Sequence, residues 1–202
     1  MNFLAHFLLT PDDEELLVGQ MMGDFLTRGW RERVSPRVEQ GIRLHQAIDV
    51  YADRHPIGAE ARKRFDKPYR RYAGILLDVF YDHFLARDFE AYSGGESLEL
   101  FSARCYEILV RRRESAPPRM QRAIDSMSRH DWLGAYASMD GVRGALTGIS
   151  RRLSRENPLA EAAELLPAMD ARLEADFRVF FPELREFTEE AYRNLELPRR
   201  TQ

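Results

Sequence analysis

Helix-start signals recur along this chain and restrict it to a helical fold. Ser35 followed by Pro36 is typical, because a serine side chain caps the free N–H groups of a first turn and proline fits the first helical position. Thr10 and Pro11 repeat this pattern. Further starts are indicated after Pro56, after Pro68, at Ser97, at Pro117-Pro118 and at Asp140-Gly141, with Gly94-Gly95 as a break. The spacing of these signals predicts a succession of helices.

No segment alternates apolar and polar residues over a β-branched run, as a strand would. We therefore predict an all-α fold of about eight to ten helices in a single domain that spans residues 1–202. The first predicted helix runs from Thr10 to about Thr27, and the second from Ser35 to about Arg54. A long helical pattern from Asp170 to Leu195 is expected to be interrupted at Pro182, because proline removes a helix hydrogen bond.

Charge and cysteine content exclude several classes of protein. The 202 residues carry a net charge of −3, which argues against a nucleic-acid-binding protein, whose domain is usually basic. The single cysteine, Cys105, excludes an intrachain disulfide and a cysteine-rich zinc site. Residues 1–9 lack the basic leader of a secretory signal, and no run approaches the ~20 apolar residues of a membrane span. We expect a cytoplasmic protein with neither nucleic acid nor membrane as a partner.

Residues 77–85 combine an apolar helix with ionisable side chains. Apolar residues fall on almost every side of this helix, so it should be buried all round. Asp78, Asp82 and His83 nevertheless lie in it, and buried Asp and His normally require a partner or a metal. Asp78 and Asp82 are four residues apart and share a face, whereas His83 points about 100° away. Asp82 is therefore the stronger candidate ligand of the doublet.

Four other ionisable residues also lie in apolar surroundings. His45 and Asp49 are four residues apart and fall inside the apolar arc of the helix that begins at Ser35. His6 has intensely apolar neighbours, and Asp24 ends a helix with an apolar inner side. The histidines could be satisfied polar groups of the core, and Asp24 could be a residue exposed to water at a helix end. A carboxylate beside an imidazole, as in the pair His45 and Asp49, is however also how metal ligands are oriented.

His and Asp ligands without cysteine suit a catalytic Mn²⁺, Mg²⁺, Fe or Zn²⁺ ion, with Mn²⁺ or Mg²⁺ favoured by the carboxylates. Such an ion lowers the pKa of a water molecule and polarises a phosphoryl oxygen, so hydrolysis of a phosphate ester is the predicted chemistry. The candidate metal ligands are His6, Asp24, His45, Asp78, Asp82 and His83. The candidate catalytic residues are Asp24, Arg28, His45 and Asp49. The candidate phosphate-binding residues are Arg28, Arg43, Arg151 and Arg152.

A second group of arginines clusters around one predicted loop. It comprises Arg111, Arg112, Arg113, Arg119 and Arg122. A solvated surface is one interpretation. The other is a docking surface for an acidic partner protein, because surface charge steers association.

With these residues in view, the sequence resembles the bacterial acyl carrier protein phosphodiesterases. The motifs that carry the resemblance are Met1-Asn2-Phe3-Leu4-Ala5-His6, Gly23-Asp24-Phe25, Gly41-Ile42 with His45, Ile48-Asp49-Val50, Asp53, Leu77-Asp78 and Asp82-His83-Phe84-Leu85. The region from Tyr136 to Asp140 and the pair Arg151-Arg152 are also similar.

The resemblance implies an all-helical, HD-type, metal-dependent phosphohydrolase. Such an enzyme removes 4′-phosphopantetheine from a serine of holo-acyl carrier protein, with Mn²⁺ as the preferred metal. Asp24 matches a family position tied to activity and metal, while the doublet Asp82-His83 reverses the usual His-then-Asp order of HD proteins.

Two other functions are compatible with the residues alone. One is an HD-like hydrolase of a nucleotide or alarmone, which would use the same site. The other is a non-catalytic helical binding protein, whose buried His and Asp would form only a polar network.

Overall fold

The structure, a computed structural model, describes residues 1–196 and is built from helices. The α-helices are α1 (Phe3–Leu8), α2 (Glu14–Met22), α3 (Pro36–Arg54), α4 (Pro56–Lys63), α5 (Ala73–Arg87), α6 (Phe89–Ser93), α7 (Leu98–Arg111), α8 (Pro118–His130), α9 (Trp132–Ala135), α10 (Met139–Arg152) and α11 (Leu166–Glu196). Short 3-10 helices lie at Gly23–Phe25, Trp30–Arg33, Tyr69–Tyr72, Arg113–Ser115 and Leu159–Leu165. No strand occurs within residues 1–196, so the all-α prediction is confirmed. The α-helix count slightly exceeds the prediction because α1, α6 and α9 are very short.

Most of the predicted helix starts are present. The Ser35 side chain accepts a hydrogen bond from the Val38 N–H, and the Ser97 side chain accepts one from the Leu100 N–H. The start at Thr10 is wrong. Asp13 caps α2 instead, by accepting from the Leu16 N–H at 3.0 Å.

The bounds of α2 differ from the prediction for two physical reasons. The Thr10 hydroxyl donates to the carbonyl of His6 at 2.7 Å, so Thr10 belongs to the end of α1. At its other end, α2 stops at Met22 instead of Thr27, because the chain tightens into the 3-10 turn Gly23–Phe25.

The predicted interruption at Pro182 is also wrong. Helix α11 continues through Pro182, which lies exposed on its outer side. Phe177, Phe181 and Leu184 are fully buried on the inner side, so both halves of the helix pack on the same core. This packing outweighs the hydrogen bond that proline removes.

The described residues share one hydrophobic core, to which α1 through α11 contribute. The core is consistent with the predicted single domain, although residues 197–202 of that range lie outside the described part of the chain. None of the helices in residues 1–196 has the length and apolar character that crossing a membrane requires.

Helices α2 and α3 cross at two glycines. A Cβ added to Gly19 would lie 2.3 Å from the Val38 carbonyl oxygen, and one added to Gly41 would lie 2.4 Å from the Leu16 carbonyl oxygen. The two backbones therefore touch with no side chain between them. This crossing fixes the position of the His45 helix against the polypeptide that leads to Asp24.

Candidate active site

Three predicted side chains from α1 and α3 meet at one point. His6 Nε2 lies 3.1 Å from Asp49 Oδ1, and His45 Nε2 lies 3.2 Å from Asp49 Oδ2. The two imidazole rings stack with their centroids 4.2 Å apart. One donor atom from each residue lies within 4.8 Å of the others, a spacing that one metal ion could bridge. We call His6, His45 and Asp49 the His–Asp cluster.

Asp24 stands beside this cluster because of the glycine that precedes it. A Cβ on Gly23 would come within 2.2 Å of the His45 ring, so only glycine lets the 3-10 turn pack against that imidazole. The turn places Asp24 Oδ1 at 3.7 Å from His45 Nε2. The side chain of Asp24 is about half exposed. It lines a surface cleft whose wall also includes Asp78, Arg119 and Arg152.

Gln20 is a member of the site that the sequence analysis missed. It is fully buried on α2, and its Oε1 lies 3.1 Å from His6 Nδ1. Its neighbours Leu16, Leu17, Met21 and Met22 are all buried and apolar. The rule that identified His45, a polar residue among apolar ones on a helix, would also have identified Gln20.

The protonation of the cluster follows from its burial. Burial lowers the pKa of His6 to about 4, so its ring is neutral at neutral pH. Desolvation raises the pKa of Asp49, but hydrogen bonds with His45 and His6 outweigh it, and the net pKa lies well below the ordinary value. Desolvation also raises the pKa of Asp24, against the attraction of His45. Asp49 is thus the permanent anion, and Asp24 is the carboxylate closer to accepting a proton.

A neutral His6 carries one ring proton, yet oxygens face both of its nitrogens. When Nδ1–H donates to Gln20 Oε1, the lone pair of Nε2 faces the Asp49 carboxylate. A metal-ligating histidine typically has this arrangement, with its distal N–H held by an oxygen. A divalent cation between Nε2 and Asp49 would remove the conflict of two acceptors, so the donor set fits a metal of the predicted kind.

Asp78 lies next to the cluster but does not contact its imidazoles. Its Oδ1 is 3.1 Å from the amino nitrogen of Met1, which is also 3.7 Å from Asp49 Oδ1. Desolvation lowers the pKa of this amino group, but Asp78 and Asp49 overcome that effect and raise the pKa to about 10. The ammonium is therefore charged and links Asp78 to the His–Asp cluster.

The structure does not bring Asp82 and His83 into this cluster. Asp82 Oδ2 accepts the N–H of Leu4 at 2.9 Å, so its carboxyl group caps the first turn of α1. His83 Nδ1 donates to the carbonyl oxygen of Tyr136 at 2.7 Å. Both side chains are buried and serve backbone groups. Their prediction as metal ligands finds no support in this geometry, because their partners come from distant segments that a helical wheel does not include.

Only one of the four predicted phosphate-binding arginines lines the cleft. Arg152 is in the cleft wall, together with Asp24, Asp78 and Arg119. Arg43 on α3 is not part of this wall and donates from Nε to Glu39 Oε1 at 3.0 Å. Arg28 and Arg151 are exposed and are not in this wall. Arg119, which the sequence analysis assigned only to partner docking, is therefore the second cleft arginine.

Fold and site together define a class: an all-helical protein with a His–Asp cluster beside a cleft that carries two arginines. A family model described as acyl carrier protein phosphodiesterase matches residues 1–184. The chain belongs to this family.

Individual relatives extend the match over almost the whole chain. An acyl carrier protein phosphodiesterase of Escherichia coli O157:H7 (strain EC4115) is 35% identical over 184 residues, which cover 91% of this chain and 95% of the relative. One of Escherichia coli O45:K1 (strain S88) is 34% identical over 186 residues, or 92% and 96% of the two chains. No solved structure matches the chain.

Proposed function

We propose that this protein hydrolyses the phosphodiester that links 4′-phosphopantetheine to the serine of holo-acyl carrier protein and so releases apo-acyl carrier protein. The observation that carries the proposal is the family membership over residues 1–184, a range that includes every residue of the His–Asp cluster and its cleft. The relatives bear the name of this activity.

We further propose that the enzyme requires a divalent metal, with Mn²⁺ preferred and Mg²⁺ or another divalent ion possible. His6, His45 and Asp49 would hold the ion, and Asp24 stands beside them at 3.7 Å from His45 Nε2. When bound, such an ion polarises a phosphoryl oxygen and makes water a better nucleophile. The relationship to HD-type phosphohydrolases stays a prediction.

The chain's own residues then have separate tasks. Asp49 stays ionised and orients both imidazoles, while Gln20 holds the ring of His6. Asp24, with its raised pKa and exposure to the cleft, takes the proton of the attacking water. Arg119 and Arg152 bind the nonbridging phosphate oxygens and stabilise the charge that develops there. The bond between water and phosphorus forms as the bond to the serine oxygen breaks.

The arginines that we expected to dock an acidic carrier protein divide into two sets. Arg111 and Arg112 both pair with Glu14, and Arg113 binds Asp125 through Nε at 2.6 Å. These cations are already neutralised. Arg119 and Arg122 make no ion pair with any residue in 1–196, so we place the docking of the acidic carrier beside the cleft, whose wall includes Arg119.

Mass spectrometry of holo-acyl carrier protein incubated with the protein and Mn²⁺ tests the proposal. We expect a loss of mass equal to the phosphopantetheine arm, and no loss with EDTA in place of Mn²⁺. Holo-protein that stays intact after long incubation would contradict the proposed activity. Hydrolysis of nucleotides under the same conditions would favour the nucleotide or alarmone hydrolase. Purified protein without any bound or activating metal would favour the non-catalytic binding protein.

A further inference from the structure

A mostly apolar cavity of about 260 Å³ lies against helix α10. Its wall includes Phe3 from α1, Trp132 and Tyr136 around α9, and Ile149 from α10. Of the residues that were given a catalytic task above, only Arg152 lines this space. A cavity of this size next to a reaction site is large enough to hold part of a substrate.

Two glycines on α10 border the open volume. Gly144 and Gly148 are four residues apart, so they lie on one face of the helix, and both line the cavity. A Cβ on either would meet no atom within 4 Å. Each glycine makes the helix less stable than alanine would, by roughly 1 kcal/mol. The space is thus kept open although a larger side chain would fit and would favour the helix.

The cavity adjoins the cleft of the candidate active site. Both share Asn2, Phe3, Ile149 and Arg152 as lining residues. The guanidinium of Arg152 stands at the junction, where Nε donates to the carbonyl of Gly148 at 3.2 Å. A phosphate held at Arg152 would therefore lie between the cleft, which Asp24 also lines, and the cavity.

The cavity wall also includes Tyr136, a largely buried tyrosine whose hydroxyl is available to a ligand. The side chain of Tyr136 is about 95% buried, because only 5% of the residue is exposed. Burial raises the pKa of its hydroxyl well above the ordinary value, so it stays a neutral donor and acceptor. Among the described residues nothing forms a hydrogen bond with this hydroxyl, although the Tyr136 backbone carbonyl accepts from His83. A ligand with an amide or hydroxyl group would satisfy it.

We propose that this cavity binds the pantetheine arm of the substrate while the phosphate occupies the cleft, an inference that rests on the proposed function. The arm joins a dimethyl-substituted carbon to a hydroxyl, two amides and a terminal thiol. This chemistry matches an apolar wall that offers one free hydroxyl. The carrier protein's serine then leaves the phosphate on the solvent side, toward Arg119.

Direct binding of two small ligands tests the cavity without turnover. We expect 4′-phosphopantetheine to bind the Mn²⁺-loaded wild-type protein at least about tenfold more tightly than methyl phosphate does, because only the former reaches the cavity. In Gly148→Leu this difference should disappear while the affinity for methyl phosphate stays unchanged. Thr147→Leu is the matched control on the same helix, since Thr147 does not line the cavity.

Two outcomes would separate failure of this inference from failure of the proposed function. Equal affinities of wild-type protein for the two ligands, or an unchanged difference in folded Gly148→Leu, would overturn the arm site. Wild-type protein that binds 4′-phosphopantetheine in preference but leaves holo-acyl carrier protein intact would support the arm site and overturn the proposed activity.

Discussion

Helices α3 and α5 each bury ionisable residues, but they use them in different ways. On α3, His45 and Asp49 turn toward side chains of other elements and meet His6 and Asp24 at a cleft. On α5, Asp82 and His83 turn toward backbone groups, the N–H of Leu4 and a distant carbonyl. The first arrangement gathers donor atoms at an accessible point, and the second satisfies the ends and turns of neighbouring helices.

This difference shows what distinguishes a chemical site from a structural polar contact. A site needs several side-chain donors within a few ångströms of one another and access from solvent. Asp49 meets both conditions, since two imidazoles contact it and its side chain is 41% exposed. Asp82 meets neither condition, because it is fully buried and its partner is the backbone N–H of Leu4. Burial of a polar residue therefore indicates that it has a structural partner. Several side-chain donors that converge at a point accessible to solvent indicate a reactive site.

Replacing Asp49 should have the largest effect. Asp49→Ala removes the carboxylate that both imidazoles contact, and we expect kcat/KM toward holo-acyl carrier protein to fall by at least about 100-fold. Bound Mn²⁺, measured by metal analysis, should fall in parallel. The matched variant Asp82→Asn should keep kcat/KM within about threefold of wild type, because the Asp82 carboxyl group binds the Leu4 backbone and neither imidazole of the cluster. Equal losses in the two variants would remove the distinction between α3 and α5.

A methyl group at Gly23 should have the next largest effect. In Gly23→Ala the Cβ would collide with the His45 ring and displace it, and we expect a loss of about 100-fold in kcat/KM, the order associated with misplacing a catalytic group by about 1 Å. Gly74→Ala is the control, since nothing lies within 4 Å of its added Cβ. Thermal unfolding of both variants checks the fold. A fully active Gly23→Ala would show that the His45 position is not required.

The neighbours Arg151 and Arg152 offer a third comparison within a single helix turn. Arg152→Ala should lower kcat/KM by about 10-fold or more, because Arg152 lines the cleft, where we propose that it binds the phosphate. Arg151→Ala, outside that wall, should change it by no more than about twofold. Steady-state kinetics of the two variants settles which arginine binds the phosphate, and the reverse order of effects would reject the assignment.

The smallest effect on activity, but a clear one on stability, is expected at Asp82. Burial raises the pKa of Asp82 from its ordinary 3.8 to about 7, so the folded protein keeps a proton that the unfolded chain releases. Stability from this group is therefore full below about pH 4 and declines as pH rises to about 7. Asp82→Asn has no such titration. Its free energy of unfolding relative to wild type should increase over this window by up to about 4 kcal/mol.

Urea denaturation of wild type and Asp82→Asn at pH 5 and pH 8 provides the measurement. The comparison between variants cancels the contribution of His6, which is common to both. A stability difference that does not change with pH would show that Asp82 is ionised throughout.

Local sequence rules predicted the fold class and named four residues that the structure brings together, His6, Asp24, His45 and Asp49. Ser35 and Ser97 cap the helices they were expected to cap, because capping depends on residues three apart. His45 and Asp49 were paired correctly because residues four apart share a helix face. Both conclusions need only the geometry of one helix.

The rest of the site depends on contacts between distant segments. Nothing local to Asp82 shows that the first turn of α1 packs against it, and nothing local to Arg119 shows that it enters the cleft. The continuity of α11 through Pro182 likewise depends on the aromatic core beneath it. Predicting these features would have required knowledge of how whole helices pack against one another.

The glycine crossing of α2 and α3 determines how much the positions of the candidate active-site residues can change. Because the backbones touch at Gly19 and Gly41, a single added methyl group must push the two helices apart. The element that carries Gln20 and leads to Asp24 would then move relative to the one that carries His45. Substitutions at these two buried glycines would thus displace the active-site residues relative to one another, although neither glycine contacts the substrate.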